Sequence, residues 1–278
     1  MTDFAAKALP DDLAAETKFQ GLTRLGFLAR GLLYILIAAL LALTGRTEDL
    51  TGALEVVGRG AGWWLLAFLA VGLCAYGLWR LADAALGMES GRHGGKAMRK
   101  RIAAAGIGAV YLGLAYKAVR IAVIGRSDAP NAADQAKAVL DLPGGELVMM
   151  AAAIAMLIAA GAQVRKAAKC SFLEPLSEAA CAPPVKWLGR IGYAARGVIF
   201  AGVALLLWRA GVNHSPGQAG GSEQAMDLLG GPLEYAVALG LFLFGTFSII
   251  EARYRRIHRP PVREAVAKVA QKVDSGGR

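Results

Sequence analysis

Charge, histidine and cysteine are all in short supply. Of 278 residues, 19% are charged and 56% hydrophobic, against about 25% and 45–50% in soluble domains. That balance excludes a soluble globular enzyme. His93, His214 and His258 lie outside the long apolar runs, which excludes an intramembrane bis-histidine haem, and no H-E-x-x-H occurs. Cys74 sits within an apolar run, whereas Cys170 and Cys181 share one connecting segment without C-x-x-C spacing. The three read as unpaired structural cysteines, with neither a disulfide framework nor a zinc site. A Walker A lysine motif and a G-x-S-x-G elbow are both missing. The stretch Gly91–Lys96 (GRHGGK) lacks P-loop spacing and reads as a flexible basic loop. Carboxylates are scattered, with no pair placed for general acid–base work. The expectation is therefore a non-enzyme, with no catalytic residue, metal site or cofactor.

What is abundant is long apolar sequence. Six runs of transmembrane length stand out: Leu25–Thr44, Trp63–Leu81, Ile102–Ile124, Leu147–Val164, Leu188–Trp208 and Leu233–Ile250. About 20 residues at 1.5 Å rise cover a ~30 Å hydrocarbon core. Helices satisfy their own backbone there, and the Ala/Leu-rich runs lack the alternation of barrel strands. Leu147–Val164 is alanine-rich enough to read also as a buried soluble helix; the charge distribution argues against that. Of 31 lysines and arginines, 22 fall in the N-terminal tail, the second and fourth connections with their flanking helix ends, and the C-terminal tail. Basic segments mark the cytoplasmic side, so both termini are expected inside a bacterial cytoplasmic membrane. No cleavable signal peptide is expected, because the first apolar run is too long and lacks an A-x-A site. Asp11–Gln20 reads as an interfacial helix. The basic tail from Arg253 is expected to meet anionic headgroups rather than nucleic acid, since no recognition motif accompanies its charge.

The chain also repeats itself. Gly26-Phe27-Leu28-Ala29-Arg30-Gly31-Leu32-Leu33-Tyr34 and Gly192-Tyr193-Ala194-Ala195-Arg196-Gly197-Val198-Ile199-Phe200 share the pattern G-(F/Y)-x-A-R-G-x-x-(Y/F). A degraded copy has Gly108 and Tyr111 in register but Ile107 in place of the arginine. In the second helix of each unit, Tyr76-Gly77 matches Phe244-Gly245, and Gly72 matches Gly161 and Gly240. Between the helices lie short outer segments, Leu50–Gly58, Asp134–Gly145 and Glu223–Gly231, each expected to be a short helix stopped by glycine. The expected architecture is all-α, six spans as three parallel-orientation hairpins in a pseudo-threefold bundle. The hairpins cover residues 25–90, 102–170 and 188–252, joined by linkers 91–101 and 171–187 and flanked by tails 1–24 and 253–278. Glycines five apart, such as Gly26/Gly31 and Gly240/Gly245, point about 140° apart and suit close approach to two neighbours; a hinge role is the alternative. These recurring hairpins resemble the bacterial membrane family called domain of unknown function 1206. The resemblance implies a six-span membrane protein and supplies no reaction, substrate or catalytic residue.

Four basic residues fall inside spans: Arg30, Lys117, Arg120 and Arg196. A charge there costs about 2.5–3.5 kcal/mol or more, so each needs a reason. Asp83 and Glu251 align at the ends of the second helices in the first and third copies, where the middle copy has Ala167. Arginine and acid are lost together in the middle copy. The expected ion pairs are therefore Arg30–Asp83 and Arg196–Glu251, one within each hairpin. Lys117 and Arg120 break the symmetry. Lys117 either snorkels outward or pairs with Asp134, Asp141 or Glu146, or else forms an anion or proton site with Arg120. Two functions follow from these features. One is a non-enzymatic module binding a membrane protein partner, a lipid or a second copy of itself; the other is a small-solute transporter or channel using Lys117 and Arg120.

Overall fold

The computed structural model describes residues 10–45, 53, 54, 56, 62–87, 95–124 and 132–256. Six of its helices are long and apolar enough to cross a membrane. These are α1 (Pro10–Thr44), α2 (Trp63–Leu86), α3 (Gly95–Ile124), α5 (Gly145–Lys169), α6 (Pro183–Val212) and α8 (Gly231–Tyr254). Two short helices, α4 (Ala132–Leu140) and α7 (Ser222–Asp227), lie in the connections at one end. Among the described residues there is no strand, only an isolated bridge between Leu176 and Arg255. The helices outrun the apolar segments that announce them. Asp11–Gln20 continues directly into α1 rather than forming a separate helix. Polar residues at such ends still complete the i to i−4 ladder, so apolarity marks the span and not the helix limit.

The short helices stop before the expected glycines: α4 ends at Leu140, and α7 at Asp227 with Leu228 as its C-cap, while Gly144 and Gly230 instead cap the starts of α5 and α8. Gly144 has φ 75°, and Gly230 and Gly231 have φ 62° and 52°, a region where a Cβ is unfavourable. The first outer segment, Leu50–Gly58, lies almost wholly outside the described residues, as do Gly91–Gly94, His93, His258 and the tail beyond residue 256.

The six long helices pack in the order α3–α2–α1–α8–α6–α5. The strongest contacts join α2 with α3, α1 with α8, and α5 with α6. Of the helices consecutive in the chain, α1 packs on α2 and α6 on α8, while α3 and α5 barely touch. Glycines set these distances. A Cβ on Gly26 would stand 2.7 Å from the Tyr76 Cβ, and one on Gly192 2.7 Å from the Phe244 Cβ. Gly72 meets Ala29 and Gly240 meets Ala195 in the same way. Gly31 and Gly245 face each other across α1 and α8, each within 2.7 Å of the other's carbonyl oxygen if given a Cβ. Gly106 and Gly161, the register equivalents of Ala29 and Gly72, have nothing within 4 Å. Gly161 therefore makes no close approach, because the helix it would meet is elsewhere.

Burial follows the same order. In the apolar window of α1, 56% of residues are buried, against 33% in α3 and 22% in α5. The main core runs through Phe27, Leu33, Leu73, Tyr76, Phe244 and Phe247. Overpacking a filled crossing costs about 1–3 kcal/mol. Gly245→Val is thus expected to lower the unfolding midpoint in mild detergent, whereas Gly113→Ala, at a position with nothing within 4 Å, leaves it unchanged or slightly higher. Circular dichroism melts of the two variants check this.

Candidate functional site

Arg30 is 4% exposed and lies at the centre of the core. The close α1–α8 crossing at Gly31 and Gly245 brings it beside the last turns of α8. Its Nη2 donates to Glu251 Oε2 at 2.6 Å and to Ser248 Oγ at 3.0 Å. Its Nε donates to the same hydroxyl at 3.2 Å, and Nη1 donates to the Tyr76 hydroxyl at 2.7 Å. The rings of Phe27, Tyr76 and Phe244 surround the guanidinium at 4.7–5.2 Å. The other Glu251 oxygen accepts from Arg255 one turn later. A buried charge is tolerated when paired and hydrogen-bonded, and Arg30 satisfies both conditions.

The pairing differs from the expected one. Arg30 binds Glu251 of the third hairpin, not Asp83 of its own. Asp83, fully buried, lies 3.7 Å from Arg80, one turn before it on α2. Register fixes how deep a residue sits but not which neighbour it faces. Asp83 and Glu251 are equivalent in depth, and the α1–α8 crossing decides between them. Arg196 is consequently left without a carboxylate among the described residues. Its guanidinium stacks over Tyr34, Phe200 and Phe244 at 4.6–5.4 Å, and its buried Nε has no hydrogen-bond partner. Arg196 also lines a small cavity of about 80 Å³ with Tyr34, Ile37, Phe200, Ser222 and Met226.

Lys117 and Arg120 stand apart from this cluster. Both are half-buried on α3, and Arg120 donates to the Tyr116 hydroxyl one turn earlier at 3.3 Å. Neither lines the small cavity or the open depression of about 410 Å³ around Arg209, Asn213 and Gln218. Of the histidines, His214 is described; its Nδ1 lies 3.1 Å from Glu146 Oε2. The three cysteines are free, and no His/Cys/Asp/Glu group among the described residues could hold a metal ion.

Sequence reasoning overlooked Tyr76, Ser248 and Arg255. A signal existed for the last two. Ser248 and Arg255 lie three before and four after Glu251, on one helix face.

Residues 191–255, most of the third hairpin, match the family described as Domain of Unknown Function (DUF1206). The resemblance read from the repeated motif is supported over that segment. It is also 28% identical over 249 residues to "Uncharacterized protein YxxB" of Bacillus subtilis (strain 168), spanning 84% of this chain and 90% of that relative. No solved structure matches the chain.

The cross-hairpin pairing is testable by double-mutant cycles. Residues sharing a buried ionic contact couple by about 1–3 kcal/mol, and separated ones by less than about 0.5 kcal/mol. Arg30→Gln combined with Glu251→Gln is expected to show the larger coupling, and Arg196→Gln combined with Glu251→Gln the smaller, in unfolding by SDS titration.

Proposed function

We propose that this chain is a non-enzymatic membrane module that binds a partner within the bilayer: a protein, a lipid or a second copy. The observation that carries this reading is the middle hairpin. Its helices α3 and α5 barely touch, while α1 with α2 and α6 with α8 are packed. Both carry large exposed apolar side chains, among them Val110, Val119, Ile154 and Ile158. Helix faces without a neighbour are where a membrane partner gains packing.

The same reading treats the chain as three two-helix units of one orientation. Support comes from the matching crossings, Gly26 on Tyr76 with Gly192 on Phe244, and Gly72 on Ala29 with Gly240 on Ala195. The contacts between units also recur: Gly245 with Gly31, Gly77 with Gly108, and Gly197 with Val164 and Ala160. The basic tails and connections favour a cytoplasmic membrane with both termini inside. Transport through Lys117 and Arg120 is the weaker reading, because the small internal cavity is lined by other residues.

Native mass spectrometry of the full chain, released from membranes without harsh detergent, tests the module reading. A stoichiometric companion, whether lipid, protein or second copy, is the expected result. A bare monomer, together with solute flux into liposomes that Lys117→Ala abolishes, would replace it with the transport reading.

A further inference from the structure

Among the described residues, the acids buried at the basic end of the bundle are already engaged. Glu251 is occupied by Arg30 and Arg255, and Asp83 lies beside Arg80. Arg196 has neither an ion pair nor a hydrogen bond among the described residues, and its Nε is buried without a partner. Lys166 lies three residues before Lys169, the end of α5, with its Nζ 5.5 Å from the centre of the Tyr193 ring. It lies within electrostatic reach of Arg80, Arg196 and Arg30, all of like sign. One turn before it, Gln163 is 8% exposed, and its buried Oε1 also lacks a partner. Gln163 packs near Gly197, the residue after Arg196. Two orphaned polar atoms and two unpaired cations thus share one neighbourhood, where α5 crosses α6.

That neighbourhood opens sideways. α3 and α5 barely touch, and Gly106 and Gly161 have nothing within 4 Å. A ligand entering here would come from the bilayer, to which α5 exposes apolar side chains such as Leu157 and Ile158. Its polar part must be anionic and must accept hydrogen bonds, and a hydroxyl on it would satisfy the Gln163 oxygen. Basic pockets between membrane helices recognise acidic lipid headgroups in this way.

We propose that the split between α3 and α5 binds one anionic phospholipid, its phosphate on Arg196 and Lys166, its headgroup hydroxyls at Gln163, and its acyl chains between the two helices. This rests on the module reading above and names its partner. The lipid supplies the counter-charge that Arg196 lacks, and it fills the seam left by the middle hairpin.

The test is lipid selection by the full chain in phosphatidylcholine nanodiscs containing a minor fraction of phosphatidylglycerol. Retained lipids are counted by native mass spectrometry. Phosphatidylglycerol is expected to be retained well above its bulk fraction. Lys166→Gln is expected to reduce that enrichment roughly fivefold, the effect of one basic residue at an anionic lipid surface. Arg196→Gln is expected to reduce it at least as much, and Lys117→Gln to leave it unchanged. Lys166 is exposed, so its variant keeps the test valid if the Arg196 variant fails to fold. Equal retention of both lipids, or enrichment that survives Lys166→Gln, would overturn the proposal. So would displacement of the lipid by millimolar inorganic phosphate, which would make the ligand a free anion. A chain that retains a second copy or another protein but no phosphatidylglycerol overturns the lipid and leaves the module reading standing. A chain that retains nothing overturns both.

Discussion

The bundle depends on one buried cation and the groups that neutralise it. Arg30 joins α1 to α2 through Tyr76 and to α8 through Ser248 and Glu251. It therefore ties the first hairpin to the third at a depth where an unpaired arginine is costly. A pair of this kind contributes little net stability against an apolar replacement. Removing either partner alone costs about 3–5 kcal/mol, since the other is left charged and buried. The consequence is specificity. The arrangement with α8 against α1 gives Arg30 the Glu251 carboxylate, and the Gly31–Gly245 crossing provides the room.

Taken as three units, the chain lacks these groups in the middle one. Ile107 and Ala167 stand where the other copies carry arginine and acid. With no charge to satisfy, α3 is held by α2 through Gly77 and Gly108, and α5 by α6 through Val164 and Ala160 against Gly197. Each helix of the pair thus follows its neighbour in an adjacent hairpin. The seam between them stays open, while Gly106 and Gly161, whose counterparts make the close crossings elsewhere, remain unused. Structure and candidate site share one cause, because the swapped pairing that fixes α1 on α8 also leaves Arg196 without an acid.

The number and type of long helices were legible in the sequence, because the length of an apolar run is set by bilayer thickness. Gly144 and Gly230 were legible as boundaries because of the backbone angles they adopt, but they open α5 and α8 rather than closing the short helices, which end earlier at Leu140 and Asp227. The importance of Arg30 was legible from its cost. Its partner was not, because two acids at equal depth are equally eligible until the packing angle is known. The separation of α3 and α5 was invisible for a related reason. The repeat makes all three hairpins read alike, and the difference lies in which neighbour each helix prefers. Gln163 and Lys166 carry no motif, and only the location of Arg196 makes them significant.

The α1–α8 seam is closed by charge, while α3 and α5 stand apart. Electron spin resonance distance measurement tests this arrangement most directly, on a chain whose Cys74, Cys170 and Cys181 are replaced by serine or alanine. One pair of spin labels is placed at Ala109 on α3 and Ala155 on α5, and a reference pair at Ala155 and Ala201 on α6, all exposed positions. Packed helices lie about 8–10 Å apart, axis to axis. The account predicts an α3–α5 distance clearly longer than the α5–α6 reference. Equal distances, both at packed-helix spacing, would contradict it.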